Sequence, residues 1–379
     1  MGNCILDFIA SLPLTVGLKF EFQLLDKASL DLTDGIQPLI ERYQDSPYVK
    51  SKIIQNTVEI TTRTGDDVSQ IHQHLIDITK DVKRNCFKLG MNMCAAGTHP
   101  FCTKLARVTP TTGYLQMEKT GDHHGHTDVT FATHVHIGVE NTEDALHLMN
   151  AFRPYLPLLI ALSANSPFWH GYDSGFASYR QRLLSTSRSY GIPPRLHDWQ
   201  QFTDLLGASL DAGIINSITN LPWDIRPRPH LGTVEVRIMD AQSSISEAMQ
   251  LASFIRVLAA YLLEHRDAGP GDLPHALPWW NEKDNCYLAS QLGLKANYFV
   301  NKKGAFRPLL DIWQDVRTEL CAYAEKFGES MYYHQLVDRV AQQNTGYGRQ
   351  RRIYKETNSL EKVVLALIQE LENDLASRR

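Results

Sequence analysis

The sequence predicts an α+β fold in which an antiparallel β-sheet carries helices on one face. Segments that alternate apolar and polar residues at period two are interspersed with amphipathic helices, and no repeat or long linker interrupts them. One face of such a sheet can pack against helices while the other presents polar side chains. Length leaves open one large α+β domain over residues 1–379 or two ordinary domains, because it is only a prior on domain count.

Five segments alternate as strands do: residues 14–25, 53–62, 92–96, 131–139 and 233–240. Successive side chains of a strand point to opposite faces of the sheet. In the first segment, Val16, Leu18 and Phe20 therefore share the apolar face, whereas Lys19 and Glu21 share the polar face. That polar face is unusually rich in charge, which makes it a candidate for chemistry.

The later strands place acidic, basic and imidazole groups on their polar faces. If the strands pair, Glu21, Glu59, His136 and Glu235 can meet on one concave surface. Oxygen ligands with a single imidazole suit Mg²⁺ or Mn²⁺ better than zinc. Arg237, two residues after Glu235, is placed to stabilise charge on a transferring phosphoryl group. The same residues are also compatible with solvated strand faces, so both interpretations stay open.

Helical periodicity marks residues 71–82, 247–265 and 360–375. Gly90 is placed to end the first of these helices. Residues 142–164 are apolar enough for a buried helix, but Pro154 and Pro157 predict a break or kink within it. The Pro-rich run over residues 222–229 is interpreted as a turn.

The composition argues against several classes of function. A net charge of −4 gives no basic field for nucleic acid. The six cysteines include no C-x-x-C pair, which indicates reduced thiols and a cytoplasmic location. No targeting signal is recognisable, and the most apolar stretches are short or contain Arg256, so we expect no membrane span.

Eight strings, spread in order over most of the chain, resemble the bacterial carboxylate-amine ligases of the type-2 glutamate-cysteine ligase family. They are Val16-Gly-Leu-Lys-Phe-Glu-Phe-Gln-Leu, Val58-Glu-Ile-Thr, Gly97-Thr-His-Pro-Phe, His134-Val-His-Ile-Gly, Ala161-Leu-Ser-Ala-Asn-Ser-Pro, Phe176-Ala-Ser-Tyr-Arg, Trp223-Asp-Ile-Arg-Pro and Gly232-Thr-Val-Glu-Val-Arg-Ile-Met-Asp. The resemblance implies a single domain on a curved antiparallel sheet, similar to the glutamine synthetase core. Helices pack on the outer face, and an active-site bowl holds ATP with Mg²⁺ or Mn²⁺.

The resemblance also assigns roles to individual residues. It implies a metal-binding set and an arginine, Arg237, that faces the phosphoryl group; the metal-binding set is Glu21, Glu59, His136 and Glu235. Arg180 resembles a substrate-carboxylate arginine, with Arg226 and His99 as weaker candidates. Arg226 is equally compatible with capping a turn, and His99 with ordering the loop before Pro100. The implied reaction transfers the γ-phosphate of ATP to a carboxylate, and an amine then attacks the acyl phosphate.

Three features depart from the family pattern. Lys19 stands where the family has the first Glu of Glu-x-Glu, and Gln55 stands where a Glu is usual. Gly113-Tyr114 replaces a common Arg-Tyr pair and precedes an unusual His-rich run over residues 123–126. That run is compatible with a solvated loop or with a different metal site. An ammonium at position 19 would repel a divalent cation, so one metal ion is lost or Lys19 contacts phosphate directly.

Two main hypotheses therefore stand. The first is a working ligase that acts on ATP and amino-acid substrates, with glutamate as the implied carboxylate and cysteine as a possible amine. The second is a degenerate member that keeps the fold and acts as a binding or regulatory protein. A weaker hypothesis takes the clustered histidines as ligands of a zinc hydrolase, although their spacing matches no established zinc motif. A homo-oligomer is possible under each.

Overall fold

The computed structural model describes residues 7–111, 113–115, 129–186, 190–215, 217–266, 276–301 and 303–377. Its centre is a seven-stranded antiparallel sheet with the order β2-β3-β1-β5-β9-β8, in which β4 also pairs with β1. The strands of this sheet are β1 (Val16–Asp26), β2 (Val49–Ser51), β3 (Thr57–Thr61), β4 (Met91–Cys94), β5 (Ala132–Gly138), β8 (Ile225–Arg228) and β9 (Thr233–Asp240). The predicted α+β class, an open antiparallel sheet combined with helices, is confirmed.

Two small hairpins, twelve α-helices and five short 3₁₀ helices accompany the sheet in the described part of the chain. The hairpins are β6 (Phe168–Trp169) with β7 (Tyr172–Asp173), and β10 (Asn297–Phe299) with β11 (Phe306–Pro308). The helices are α1 (Ile36–Ile40), α2 (Val68–Lys88), α3 (Thr142–Ala151), α4 (Leu156–Ser163), α5 (Arg180–Leu184), α6 (Trp199–Asp211), α7 (Ile245–Glu264), α8 (Trp279–Leu292), α9 (Leu309–Lys326), α10 (Ser330–Ala341), α11 (Gly346–Thr357) and α12 (Leu360–Ser377).

The first strand shows why one face of the sheet belongs to the core. Val16, Phe20 and Phe22 are fully buried, as the alternation predicted, and they belong to the main apolar cluster. The strand begins at Val16 rather than at residue 14, because Leu14 has a φ of 58°, which is outside the range of an extended strand. The opposite face of β1 is left for Lys19 and Glu21.

Local signals in the sequence account for the ends of the long helices. The Asp67 side chain accepts a hydrogen bond from the Gln70 amide at the start of α2, and Ser244 does the same for Glu247 at the start of α7. Helix α2 ends at Lys88, just before Gly90, whose φ of 75° turns the chain into β4.

Residues 142–164 contain the break that their prolines predicted. Helix α3 ends at Ala151, a 3₁₀ turn over Arg153–Tyr155 includes Pro154, and α4 follows. The stretches Thr142–Ser163 and Ile245–Glu264 are long and apolar enough to cross a membrane by length and composition, and 94% of each tested window is buried within the protein. Such burial is the character of core helices.

Two expectations about strands were wrong. The segment 53–62 forms a strand only over Thr57–Thr61, because the Gln55 amide donates to Arg107 O and Gln55 O accepts from the Ile36 amide. The main chain at Gln55 is thus used outside the sheet. The run 222–229 contains strand β8 at the end of the sheet order, where Pro227 is tolerated because an edge strand needs fewer amide donors.

Helix α7 ties the apolar face of the sheet to the surrounding segments through Arg256. This arginine is buried, and its guanidinium donates to Leu14 O, Phe327 O and Asp66 O. It also pairs with Glu329, with 2.7 Å between Nη1 and Oε1. One side chain therefore joins the segment before β1, the segment before α2 and the connection between α9 and α10.

We expect Arg256→Met to lower the free energy of unfolding by about 3–5 kcal/mol, because it leaves Glu329 buried without its cation. Denaturant unfolding measures this loss. The control is Arg266→Met: Arg266 pairs with Asp144 at 2.9 Å but its side chain is 60% exposed, so the loss there should be below about 1 kcal/mol. Equal losses in the two variants would contradict the structural role given to Arg256.

Candidate active site

The pairing of the central strands brings distant polar residues into one row. His136 on β5 lies opposite Gly17 on β1 and opposite Glu235 on β9, and Glu235 lies opposite Arg226 on β8. On the other side of β1, Glu21 lies opposite Glu59 on β3. Directly opposed side chains in antiparallel strands are close enough to interact. The register therefore assembles the predicted residues on one face of the sheet.

Glu235 is the centre of this row. It is fully buried, and its Oε2 lies 3.0 Å from both Arg226 Nε and Arg228 Nη1. Its Oε1 lies 3.0 Å from Lys19 Nζ and 3.4 Å from Arg237 Nη1. Burial disfavours the charged carboxylate, but the neighbouring imidazole and cations outweigh it and hold the pKa of Glu235 well below its ordinary value. The carboxylate is therefore ionised.

Two imidazoles flank Glu235. His136 Nε2 is 3.3 Å from Glu235 Oε1, and His136 Nδ1 is 2.9 Å from Thr233 Oγ1. Burial lowers the pKa of His136 to about 4, and Glu235 opposes this only in part, so the ring is neutral at pH 7. His134 Nδ1 lies 3.6 Å from the same oxygen, and neither ring nitrogen has a hydrogen-bond partner among the described residues.

Lys52 holds the other two carboxylates, and the sequence did not reveal this role. Its Nζ is 2.9 Å from Glu21 Oε1 and 3.0 Å from Glu59 Oε2. Glu21 Oε2 also accepts a hydrogen bond of 2.8 Å from the Ala132 amide. Burial opposes ionisation of Glu59, but Lys52 and Lys19 outweigh it and lower the pKa of that carboxyl. Lys52 follows strand β2, and no local pattern places its side chain against β1 and β3.

A cavity of about 290 Å³ opens beside this row. Its lining includes Lys19, Lys50 and His136 together with the threonines at positions 15, 61, 62, 64 and 233. Among the described residues, no aspartate or glutamate belongs to this lining. Ammonium and hydroxyl groups that line a cavity favour an anionic ligand such as a phosphate group.

Comparison with known proteins identifies the family of this chain. The sequence profile of glutamate-cysteine ligase family 2 matches residues 15–366, which is nearly the whole chain. The chain belongs to this family. A protein of Trichormus variabilis that is provisionally named glutamate-cysteine ligase 2 is 38% identical over 377 residues, covering 99% of this chain and 97% of the relative. A relative in Bdellovibrio bacteriovorus with the same provisional name is 30% identical, covering 95% of each chain.

Two solved structures share the fold of this family member. A bifunctional glutathione synthetase from Pasteurella multocida superposes with a TM-score of 0.70 at 16% identity; the match covers 96% of this chain but 53% of that one. The chain thus spans about half of that enzyme. Glutamate-cysteine ligase from Francisella tularensis, solved in complex with AMP, superposes with a TM-score of 0.59 at 13% identity and covers 98% and 94% of the two chains. At these identities the similarity shows the fold alone.

The metal-binding set implied by the family resemblance does not fit a divalent cation as the side chains lie. Its three carboxylates face five cations, Lys19, Lys52, Arg226, Arg228 and Arg237, which leaves a net charge of +2 when the imidazoles are neutral. Within the described ranges, no group of three or more His, Cys, Asp or Glu side chains is arranged to hold a metal ion. Both oxygens of Glu235, Oε1 of Glu21 and Oε2 of Glu59 are already paired with ammonium or guanidinium groups, and these are oxygens that a cation would need.

The other predicted residues occupy distinct places. Arg180 is buried and donates to the Ile238 and Arg237 carbonyl oxygens at 3.1 and 3.3 Å. It therefore anchors the main chain of β9. Arg226 donates to the Thr219 and Leu221 carbonyl oxygens as well as to Glu235, so it does secure a turn. Neither residue belongs to the described lining of the cavity, and the same holds for Arg237.

His99 forms hydrogen bonds that order its loop, which is one of the two interpretations of this residue given from the sequence. Its Nε2 lies 3.0 Å from Leu30 O, and its Nδ1 accepts from the Cys102 amide at 3.0 Å. Main-chain groups therefore use both ring nitrogens, and His99 is not placed to contact a substrate. The Gln55 side chain is also occupied elsewhere, because its Nε2 donates to Val108 O at 3.0 Å. Gln55 thus does not take part in the row around Glu235.

Of the remaining departures, Tyr114 lies near enough to the site for its charges to act on the phenol. Tyr114 is half-buried; burial raises its pKa, and the charges of Lys52, Glu59 and Glu21 act on it. The His-rich run at residues 123–126 lies outside the described residues. Arg228 was missed because prolines at positions 227 and 229 obscured the period-two spacing of Arg226 and Arg228.

We expect His99→Asn to weaken the acid sensitivity of folding. Burial lowers the pKa of His99 to about 4, whereas an unfolded chain protonates histidine near pH 6.5. Protons therefore bind the unfolded state more strongly between these values, and stability is lost as the pH falls from about 6.5 to 4. His99 alone should account for about 2 kcal/mol of the loss between pH 7 and pH 5.

Denaturant unfolding of the variant at both pH values measures this contribution. Asn retains an acceptor near the Nδ1 position, and exposed His334→Asn is the control that should keep the full pH dependence. An unchanged pH dependence in His99→Asn would contradict the assignment.

Proposed function

We propose that this family member is an ATP-dependent carboxylate-amine ligase with glutamate-cysteine ligase-like activity. Support comes from the family membership and from one observation in particular. A net positive row of side chains lies on one face of the sheet, next to a cavity whose described lining residues include no carboxylate. Phosphoryl transfer depends mainly on positioning and on cations that stabilise the phosphoryl oxygens.

The proposed reaction has two steps. A carboxylate oxygen attacks the γ-phosphorus of ATP, a P–O bond forms, and the bond to the β–γ bridging oxygen breaks to release ADP. The amine then attacks the acyl carbon of the acyl phosphate, the amide bond forms, inorganic phosphate leaves, and the nitrogen gives up a proton. Glutamate is the proposed carboxylate and cysteine a possible amine. No side-chain nucleophile is needed.

Arg237 is the residue best placed to act on the transferring group. Its side chain is 26% exposed, whereas Arg226 and Arg228 are almost completely buried against Glu235. The Arg237 guanidinium donates a hydrogen bond to Glu235, and the Arg237 carbonyl oxygen accepts one from Arg180. Both the side chain and the main chain of Arg237 are therefore held by neighbouring residues. We therefore propose Arg237 as the phosphoryl-facing arginine and Arg180 as a positioning residue rather than a substrate contact.

A second candidate function is nucleotide binding without ligation. The pairing of every carboxylate in the row with a cation favours it, because none is left free to bind the catalytic metal that the resemblance implied. Such a protein would act as a binding or regulatory partner. Both candidates imply a cytoplasmic protein that binds small molecules, and a homo-oligomer is compatible with each.

Phosphate release in the presence of ATP, across a panel of carboxylate and amine pairs, distinguishes the two candidates. A ligase releases phosphate only when both co-substrates are present, and mass spectrometry should detect the amide product. Nucleotide binding without product would leave the second candidate. The absence of both nucleotide binding and product would contradict both.

We expect Arg237→Gln to lower kcat by about 100-fold, because it removes a cation aimed at developing negative charge. Circular dichroism and the thermal midpoint should remain close to those of the unmodified protein, since the side chain is partly exposed. Arg266→Gln, which removes a surface arginine, is the matched control. A kcat within about twofold of the control would exclude Arg237 from the proposed role.

A further inference from the structure

We propose that Lys19 and Lys52 take over the charge role of divalent cations, so that nucleotide phosphate groups bind this site without a divalent metal. The inference rests on the proposed nucleotide use and deepens it. The carboxylates that the resemblance assigns to metal ions are paired with the ammonium groups of these two lysines.

Lys52 occupies the position of a bridging cation. Its Nζ lies 2.9 Å from Glu21 and 3.0 Å from Glu59, and these strands face each other at those two residues. A divalent ion bridging the same carboxylates would need their oxygens at about 2.0–2.6 Å and would meet the ammonium charge at close range. The two carboxylates, which repel each other without a cation, are held by the lysine.

Lys19 presents its ammonium group to both Glu235 and the cavity. Its Nζ is 3.0 Å from Glu235 Oε1, and the residue also lines the 290 Å³ cavity. An ammonium group has three donors. In the described part of the chain, its side chain forms a hydrogen bond to Glu235 alone, so two donors remain for phosphate oxygens.

The surroundings of Lys19 are also positively charged. In the part of the lining that the structure describes, the cavity has a second lysine, Lys50, and several hydroxyl groups but no carboxylate. The row beside it carries five cations against three carboxylates. A site that is already positive can accept phosphate oxygens directly, whereas an acidic site needs metal ions to do so.

Calorimetric titration with a non-hydrolysable ATP analogue tests the proposal on the full chain. Binding in EDTA should match binding in Mg²⁺ within about threefold. Lys19→Glu should lose at least about tenfold in affinity in EDTA and recover part of it when Mg²⁺ or Mn²⁺ is added, because a carboxylate then requires a metal. Lys362→Glu makes the same charge change at an exposed position of α12 and should behave like the unmodified protein.

A second measurement avoids nucleotide altogether. The paramagnetic resonance signal of free Mn²⁺ disappears when the ion binds protein. Unmodified protein should leave equimolar Mn²⁺ free, and the double variant Lys19→Glu with Lys52→Glu should take it up. Circular dichroism verifies that each variant is folded. If the Glu variants do not fold, Lys19→Gln serves instead, and it should lose at least about fivefold in affinity in EDTA without gaining metal dependence.

The outcomes separate this inference from the proposed function. Analogue binding that requires Mg²⁺, or stoichiometric Mn²⁺ binding by the unmodified protein, overturns the lysine proposal and leaves the ATP-dependent ligase standing. An unchanged affinity of Lys19→Glu or Lys19→Gln in EDTA also overturns the proposal. Failure of the unmodified protein to bind the analogue in either buffer overturns both.

Discussion

The arrangement of this protein depends on keeping one carboxylate, Glu235, ionised inside a β-sheet. A charged carboxyl group loses its hydration on burial and would take up a proton unless cations replace the water. Here Lys19, Arg226, Arg228 and Arg237 do so within 3.4 Å. These cations come from strands β1, β8 and β9. The arrangement of the polar face of the sheet therefore follows from the need to stabilise one buried negative charge.

The need to balance buried carboxylates with cations also explains why the site carries a net positive charge. Once the arginines and Lys19 are assigned to Glu235, and Lys52 to Glu21 and Glu59, each of these three carboxylates is paired with a cation. The excess charge of the row is positive, and one of its cations, Lys19, lines a cavity that also has several hydroxyl groups in its lining. A lysine carries a single charge and imposes no coordination geometry, so it binds phosphate oxygens less strictly than Mg²⁺ does. Arginines near the transferring group would then supply much of the stabilisation in a ligase reaction.

The apolar face of the sheet supplies the rigidity that such a site needs. Residues of β1 and β5 pack into the main core against α7, whose inner positions are almost all buried. Arg180 forms a hydrogen bond to the main chain of β9, and Arg256 forms hydrogen bonds to the main chain of the segments that precede β1 and α2. Side chains on strands held in this way can keep their geometry while the ligand changes.

The elements with strong local periodicity, and the family, could be predicted from the amino-acid sequence. Alternation at period two located β1, β5 and β9 and the faces of Glu21, His136 and Glu235. Prolines located the break between α3 and α4. These features were predictable because each depends on residues close together in the chain.

Which charged side chains contact one another depends on how the strands pair in the folded protein. The register pairs Glu235 with His136 and Arg226, and it carries Lys52 to Glu21 and Glu59, none of which any local pattern specifies. Gln55 lies outside strand β3 because its main-chain N–H and C=O groups form hydrogen bonds with Arg107 and Ile36. Residues far apart in sequence come together only when strands pair and loops close. Whether a carboxylate binds a metal ion or a lysine therefore depends on long-range contacts.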